Sequence, residues 1–196
     1  ETWINTILEA INSGLNIASG MHTRLSSVKE FKDAAEKNNV QLYDLRFNQQ
    51  TFKTGSGIKR TGKRLLTVGT DCSVGKKYTA LAIEKAMKDH GMKASFKATG
   101  QTGVLIAESG VAIDAIVSDF ISGAVEWLSP DNTDDHWDII EGQGSIFHPS
   151  FAGVSLGLLH GSQPDKFIVC HEPTRTNMRG VENKLPNISD VISKTS

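Results

Sequence analysis

The apolar positions of this chain alternate between the spacing of a helix and the spacing of a buried strand. Apolar residues recur every three or four positions from Trp3 to Leu15, which is typical of one face of a helix. The first part of the chain is predicted to hold a helix from Trp3, a strand over 14–19, a helix over about 28–38 that a capping box at Ser27–Glu30 would open, and a strand over 40–46. This α-β-α-β order is typical of a parallel sheet covered by helices.

A second α/β unit follows a polar and basic segment at 47–63, which contains Thr54-Gly-Ser-Gly57 and is the best candidate for a linker. The unit over 64–196 is predicted to contain strands at 64–69, 94–99, 137–140 and 167–170, a helix that ends before Gly91 and a helix over 113–128. The helical pattern is already under way at Glu1, and another begins at Ile188 just before the last residue. We therefore expect a fragment of a longer protein.

Composition and charge exclude several classes of protein. Twenty-one Lys and Arg against 22 Asp and Glu give a net charge of −1, which offers no general attraction to nucleic acid or to a membrane surface. No stretch approaches the ~20 apolar residues of a membrane span. Two cysteines cannot form a disulfide framework, so a reducing, cytoplasmic compartment is expected. The basic segment 53–97 and the acidic segment 101–145 are either two solvated faces, or an anion site and an amine or metal site.

The most informative segment runs from Gly69 to Tyr78, between a buried strand and a helix, which is the context of a phosphate-binding P-loop. In such a loop, backbone N–H groups and the helix N-terminus face the phosphate, and Lys76 adds a full charge. We expect Lys76 to be exposed to the site. The candidate phosphate-binding residues are Gly69, Thr70, Asp71, Cys72, Ser73, Val74, Gly75, Lys76, Lys77 and Tyr78.

This segment departs from the usual P-loop in two ways. The spacing between its glycines is one residue longer, and Lys77 stands where the usual loop has the Ser or Thr that binds Mg²⁺. Thr79 cannot take over that role, because it lies about 200° further round the helix. If Lys77 faces the ligand and not solvent, the loop is suited to a phosphate-bearing ligand that is bound without metal and is not cleaved.

Further polar groups follow the other predicted strands. Glu141 comes at the end of a strand, where it could hold Mg²⁺, accept a proton from an amine or simply stabilise a turn. Gln101 and Thr102 are candidate substrate contacts, and Arg175 and Arg179 could bind a carboxylate or phosphate. Three segments, Gly69–Lys76, Thr99–Gly103 and Glu141–Ser145, are expected together at the carboxyl edge of one sheet. No histidine or cysteine spacing predicts a zinc site.

Three motifs resemble known P-loop enzymes. Gly69–Lys76, Ala98–Gly103 and Glu141–Ser145 resemble dethiobiotin synthetase and its relatives. With Glu141–Pro149, Leu159–Pro164 and Cys170–Arg175, nearly the whole chain is more similar to the family that includes the D-glutamate N-acetyltransferases. The resemblance implies an α/β fold in which residues 1–46 are the C-terminal part of a Rossmann-like domain. Residues 64–196 would be a P-loop domain, with a P-loop NTPase-like parallel sheet flanked by helices, truncated at its C-terminus.

The resemblance implies acetyl transfer from acetyl-CoA to the amine of an amino acid such as D-glutamate. A homo-oligomer is expected, and the two lysines suit the phosphates of coenzyme A without metal. From the chemistry of the residues, and not from the resemblance, we expect Glu141 or His148 to accept the amine proton and Arg175 or Arg179 to hold a substrate carboxylate. The acetyl oxygen and substrate would be bound by the loop of Gly142, Gln143, Gly144 and Ser145.

Two alternatives stay open. One is an ATP- and Mg²⁺-dependent carboxylate-activating ligase similar to dethiobiotin synthetase, in which Glu141 and Asp71 would face the metal. The other is a nucleotide-binding module without turnover. Metal dependence separates the two enzymes, and any turnover excludes the binding module.

Overall fold

A computed structural model describes residues 2–48 and 50–195 of the chain. It divides between Gln50 and Thr51 into two compact units. None of the described helices is long and apolar enough to cross a membrane.

The first unit has the predicted α-β-α-β order. It contains α1 (Thr2–Asn12), β1 (Ile17–Ser19), α2 (Lys29–Asn38) and β2 (Leu42–Asp44). The two strands pair in parallel, and the helices bury a cluster that includes Ile11, Leu25 and Phe31. The predicted capping box is wrong, because Ser27 ends a short 3₁₀ turn and its hydroxyl donates to the carbonyl oxygen of Arg24 at 2.7 Å.

The second unit is a four-stranded parallel sheet flanked by helices, as predicted. Its strands are β3 (Lys63–Gly69), β4 (Ala94–Lys97), β5 (Trp137–Ile140) and β6 (Lys166–Cys170), in the order β4-β5-β3-β6. Its helices are α3 (Lys76–Asp89), α4 (Gln101–Ala107), α5 (Ile121–Leu128), α6 (Ala152–Ser162) and α7 (Ile188–Thr195). Because side chains alternate along a strand, Leu65 and Ile139 pack with α3 while Leu66 and Ile140 pack with α5 and α6.

The structure differs from the sequence predictions at three elements of this unit. The helix expected over 113–128 is an α-helix only from Ile121, since the N–H groups of Val111 and Ile113 donate to carbonyls at the end of β4. The glycine-rich turn expected over 99–103 instead begins α4. Helix α6 was not predicted, because its apolar residues surround the helix and form no single stripe.

The polar segment that precedes β3 has no helix or strand from Thr51 to Gly62. It nevertheless packs along the second unit. The N–H groups of Ser56 and Gly57 donate to the Glu126 carboxylate, and Lys59 forms an ion pair with Asp165 at 2.9 Å. The segment expected to be a linker therefore crosses the division between the units, and its larger part belongs to the second.

Candidate functional site: a P-loop cleft

The segments that follow β3, β4 and β5 meet in one open cleft of about 460 Å³ at the carboxyl edge of the sheet. The structure thus brings together the three loops that the sequence placed at this edge. The cleft is lined by Cys72, Ser73, Gly75, Lys76, Lys77, Tyr78, Gly100, Gln101, Thr102, Glu141, Gly142, Gln143 and Gly144. The other loop residues, Gly69, Thr70, Asp71 and Val74, lie behind this lining.

Lys76 was expected to be exposed to the site, but the structure buries it, and only 6% of its surface is accessible. Its ammonium group donates to the carbonyl oxygen of Asp71 at 2.6 Å, and its aliphatic stem passes beside Gly69 and Gly142. Burial lowers the pKa of the Lys76 ammonium. The expectation failed because this first-turn side chain folds back over the loop, so Lys76 organises the loop as well as lining the cleft.

The ammonium group of Lys77 is less constrained than that of Lys76. Its Nζ lies 4.8 Å from the centre of the Tyr78 ring, and that ring is 70% exposed at the rim of the cleft. The Thr79 hydroxyl lies against the Cys170 thiol at 3.5 Å, away from the cleft as expected. The position after Lys76 therefore presents an ammonium group where the usual P-loop presents a hydroxyl.

Asp71 is fully buried and holds the P-loop to the segment that follows β6. Its carboxylate accepts hydrogen bonds of 2.7 Å from Arg175 Nη1, from the N–H of Arg179 and from the N–H of Cys72. Burial acts to raise the pKa of Asp71, but the hydrogen bonds from Arg175, Arg179 and Cys72 outweigh it and hold that pKa below its ordinary value. This carboxylate is a structural anchor of the loop.

Arg175 and Arg179 both contact the P-loop, but to different extents. Arg175 also donates to the carbonyl oxygens of Cys72 at 2.7 Å and Ser73 at 3.3 Å, so its guanidinium is committed to the loop. The Arg179 guanidinium donates to the Ser73 hydroxyl alone among the described residues and is otherwise exposed. Only Arg179 is therefore placed to bind a substrate carboxylate as well.

His148 does not fit the role of proton acceptor that the sequence analysis considered for it. The ring is 1% exposed, its Nδ1 accepts from the N–H of Ser150 at 3.1 Å, and its Nε2 lies 3.0 Å from the carbonyl oxygen of Arg179. Since Nδ1 is the acceptor, Nε2 carries the hydrogen. Neither ring nitrogen is left to take a proton from a bound amine, and the ring secures the segment around Arg179.

Asp71, Cys72 and His148 place potential metal-ligand atoms within 4.8 Å of one another. This set does not fit a cation, because Arg175 already neutralises the Asp71 carboxylate. Burial also raises the pKa of the Cys72 thiol, which keeps it in the weakly nucleophilic thiol form. We therefore assign Cys72 no metal-binding or nucleophilic role.

Glu141 lies at the end of β5, beside the P-loop strand, and faces the cleft with 4% of its surface exposed. Its Oε2 accepts from the N–H groups of Thr99 at 3.0 Å and Gly100 at 3.1 Å. A side chain at Gly103 would overlap this carboxylate, so that glycine makes room for it. Burial raises the pKa of Glu141 although these hydrogen bonds oppose it, and a raised pKa suits a proton acceptor.

The loop after Glu141 lies close against β3. The N–H of Gly142 donates to the Thr67 hydroxyl at 2.9 Å, and a Cβ on residue 142 would overlap the Thr67 carbonyl oxygen. Gly142 is therefore engaged, which leaves the N–H groups of Gln143, Gly144 and Ser145 as candidate donors to the acetyl oxygen. Ser145 is buried and lines a separate small cavity of about 20 Å³.

Sequence analysis missed two features of the site. Thr67 was not singled out, although a hydroxyl inside a buried strand is a signal that could have identified it. The pairing of Asp71 with Arg175 was also missed, and since 104 residues separate the two, no local pattern could have revealed it.

Comparison with known protein families shows to which family the chain belongs. Residues 51–196 match the P-loop domain of the DUF1611 domain of unknown function, and residues 1–48 match its N-terminal Rossmann-like domain. The chain belongs to the DUF1611 family. The expected combination of a Rossmann-like domain with a P-loop domain is thereby confirmed.

Relatives in the DUF1611 family include proteins with assigned activities. The chain is 57% identical to a D-glutamate N-acetyltransferase of Pseudoalteromonas sp. and 48% identical to one of Tritonibacter scottomollicae, in each case over 97% of its own length and 58% of the relative. It also resembles the crystal structure of a DUF1611 family protein from Anabaena variabilis, with a TM-score of 0.91 and 32% identity over 99% of this chain and 57% of that one. The chain spans somewhat more than half the length of these proteins.

Proposed function

We propose that this chain carries the acyl-donor site of an N-acetyltransferase that moves an acetyl group from acetyl-CoA to the amine of an amino acid such as D-glutamate. The observation that carries the proposal is Lys77, which lines the P-loop cleft together with Glu141. The names of the relatives support the same activity. Lys77 suits a phosphate ligand that is bound without metal, and the Glu141 carboxylate suits a proton transfer.

The residues of the cleft fit the phosphates of coenzyme A. Lys77, the backbone N–H groups of the loop and the N-terminus of α3 all favour an anion here. The exposed ring of Tyr78 adds an aromatic face at the rim. Acetyl-CoA, when bound, would supply an activated acetyl thioester, and the chain's part is to hold its phosphates.

The amine of the acceptor must lose a proton before it attacks the thioester. Glu141 has the right properties to take it, because its carboxylate faces the cleft and its pKa is raised by burial. We assign the proton-accepting role to Glu141 and not to His148, whose two ring nitrogens are already engaged. The N–H groups of Gln143 and Gly144 lie on the same cleft wall and are oriented by the same loop.

The ligase alternative is less well supported. It would require Asp71 to face a metal ion, whereas this carboxylate is fully buried and paired with Arg175. It would also require a hydroxyl at the position of Lys77. The remaining alternative, a binding module, differs from the proposal only by its lack of turnover.

Ligand-dependent thermal stability tests the proposal. Acetyl-CoA should raise the melting temperature equally in EDTA and in Mg²⁺, ATP should raise it less, and acetyl-CoA with D-glutamate should release free thiol. Lys77→Thr should weaken acetyl-CoA binding by roughly 1.5–3 kcal/mol, the worth of a hydrogen bond to a charged group. Lys85→Thr, on the exposed part of α3, is the matched control and should bind within about twofold of the parent. Tight, Mg²⁺-dependent ATP binding with no response to acetyl-CoA would favour the ligase instead.

A further inference from the structure

A second cavity of about 260 Å³ adjoins the P-loop cleft. It shares Cys72, Gln143 and Gly144 with that cleft, so the two spaces meet along one edge. Its remaining lining residues are Asp114, Phe151, Val154 and Arg179. A volume of this size suits an amino acid and is smaller than the space of the P-loop cleft.

The cavity is lined by one positively charged and one negatively charged side chain. Arg179 presents a guanidinium that contacts only the Ser73 hydroxyl among the described residues, so most of its five N–H groups are available. Asp114 contributes a carboxylate, and Phe151 and Val154 contribute apolar surface. A cation, an anion and an apolar wall complement a carboxylate, an ammonium group and the methylene groups of an amino acid such as glutamate.

The neighbouring arginine shows why Arg179 is the one to bind a ligand. Arg175 donates to Asp71, Cys72 and Ser73 and is absent from the lining of this cavity. The Arg179 side chain lines the cavity, while the bond that ties residue 179 to Asp71 comes from its backbone N–H. A substitution at Arg179 therefore keeps the contact to Asp71, whereas a substitution at Arg175 removes it.

We infer that this cavity is the acceptor subsite, in which a carboxylate of the amino acid pairs with Arg179 and its ammonium group faces Asp114. This inference rests on the proposed function and adds the place and chemistry of the second substrate. The shared edge at Gln143 and Gly144 lets the amine reach the neighbouring cleft, where Glu141 takes its proton. The new N–C bond forms as the thioester C–S bond breaks, and the second proton that the nitrogen gives up goes to the departing sulfur, which leaves as the thiol of CoA.

Two arginine substitutions provide the test. Arg179→Gln should raise the KM for D-glutamate by about tenfold or more, as expected for loss of a charge-assisted contact, and leave the KM for acetyl-CoA within about twofold. Arg175→Gln should do the reverse, because it loosens the P-loop. Arg179→Lys keeps the charge and should restore part of the D-glutamate affinity, and Asp114→Asn should weaken D-glutamate in the same direction as Arg179→Gln.

Direct calorimetric binding of D-glutamate in the presence of CoA separates this inference from the proposed function. If the parent shows no acetyl transfer, the proposed activity fails, but binding of D-glutamate that Arg179→Gln abolishes would still support the subsite. Absence of D-glutamate binding to the parent would overturn the subsite. An Arg179→Gln variant that binds D-glutamate as the parent does, or that loses only acetyl-CoA affinity, would overturn it as well.

Discussion

The two walls of the P-loop cleft are held in place by different forces. The loop of residues 69–78 is held by charged side chains from a distant segment, chiefly by the ion pair of Asp71 with Arg175 at 2.7 Å. The loop of residues 141–145 is held by close backbone packing, with Gly142 against Thr67 and Gly103 beside the Glu141 carboxylate. Loss of a charge should therefore destabilise the first wall, and added side-chain volume the second.

The largest effect is expected from Gly142→Ala. A methyl group at this position would overlap the Thr67 carbonyl oxygen inside the sheet, where neither strand can move without disturbing its neighbours. Overpacking of this kind should lower the free energy of unfolding by about 3 kcal/mol or prevent folding. Urea unfolding at neutral pH, or the yield of folded protein, measures the effect.

Gly153→Ala is the matched control, because nothing lies within 4 Å of the position where its methyl group would be and the residue is in α6. This variant should be as stable as the parent or more stable by up to about 1 kcal/mol, since alanine favours the helix. Equal stability of the two glycine variants would refute the close packing of the second wall.

How much of each wall could be predicted depends on whether its contacts are local in the sequence. The parallel sheet, the P-loop and the position of Glu141 could be predicted, because each depends on a local pattern of apolar residues and glycines. The burial of Lys76 and the pairing of Asp71 with Arg175 could not, because both depend on which side chains a folded sheet brings together from distant segments. His148 was a candidate proton acceptor by its residue type, but its hydrogen bonds give it a structural role.

The next largest effect is expected from Asp71→Asn, which removes the charge that Arg175 and two N–H groups contact. It should lower the free energy of unfolding at pH 7 by about 2 kcal/mol, the scale of a buried hydrogen bond to a charged group. Because folding lowers the pKa of Asp71, the parent's advantage is present above the ordinary carboxyl pKa and disappears as the pH falls through the lowered one. Urea unfolding at several pH values checks both statements.

Asp89→Asn is the control for this variant within the same unit, because Asp89 pairs with Lys85 on the exposed surface of α3. Loss of that surface pair should cost less than about 0.5 kcal/mol at any pH. If Asp71→Asn were no more harmful than Asp89→Asn, charge would not be what holds the first wall.

Among the three site variants, the smallest effect on stability is expected from Glu141→Gln, and its sign is opposite to that of Gly142→Ala and Asp71→Asn. Glutamine keeps the volume that Gly103 accommodates and still presents an oxygen to the N–H groups of Thr99 and Gly100. Burial raises the pKa of Glu141, which means that the ionised carboxylate is disfavoured in the folded state. The free-energy cost of ionising it is absent below the ordinary carboxyl pKa and grows as the pH rises through the raised pKa. The variant should therefore equal the parent near pH 4 and exceed it by about 0.5–1 kcal/mol at pH 8, while it loses the proton acceptor that the proposed transfer needs. Urea unfolding at the two pH values, beside an assay of thiol release, measures both. A variant that is less stable than the parent at pH 8 would show that the charge of Glu141, like that of Asp71, supports the fold.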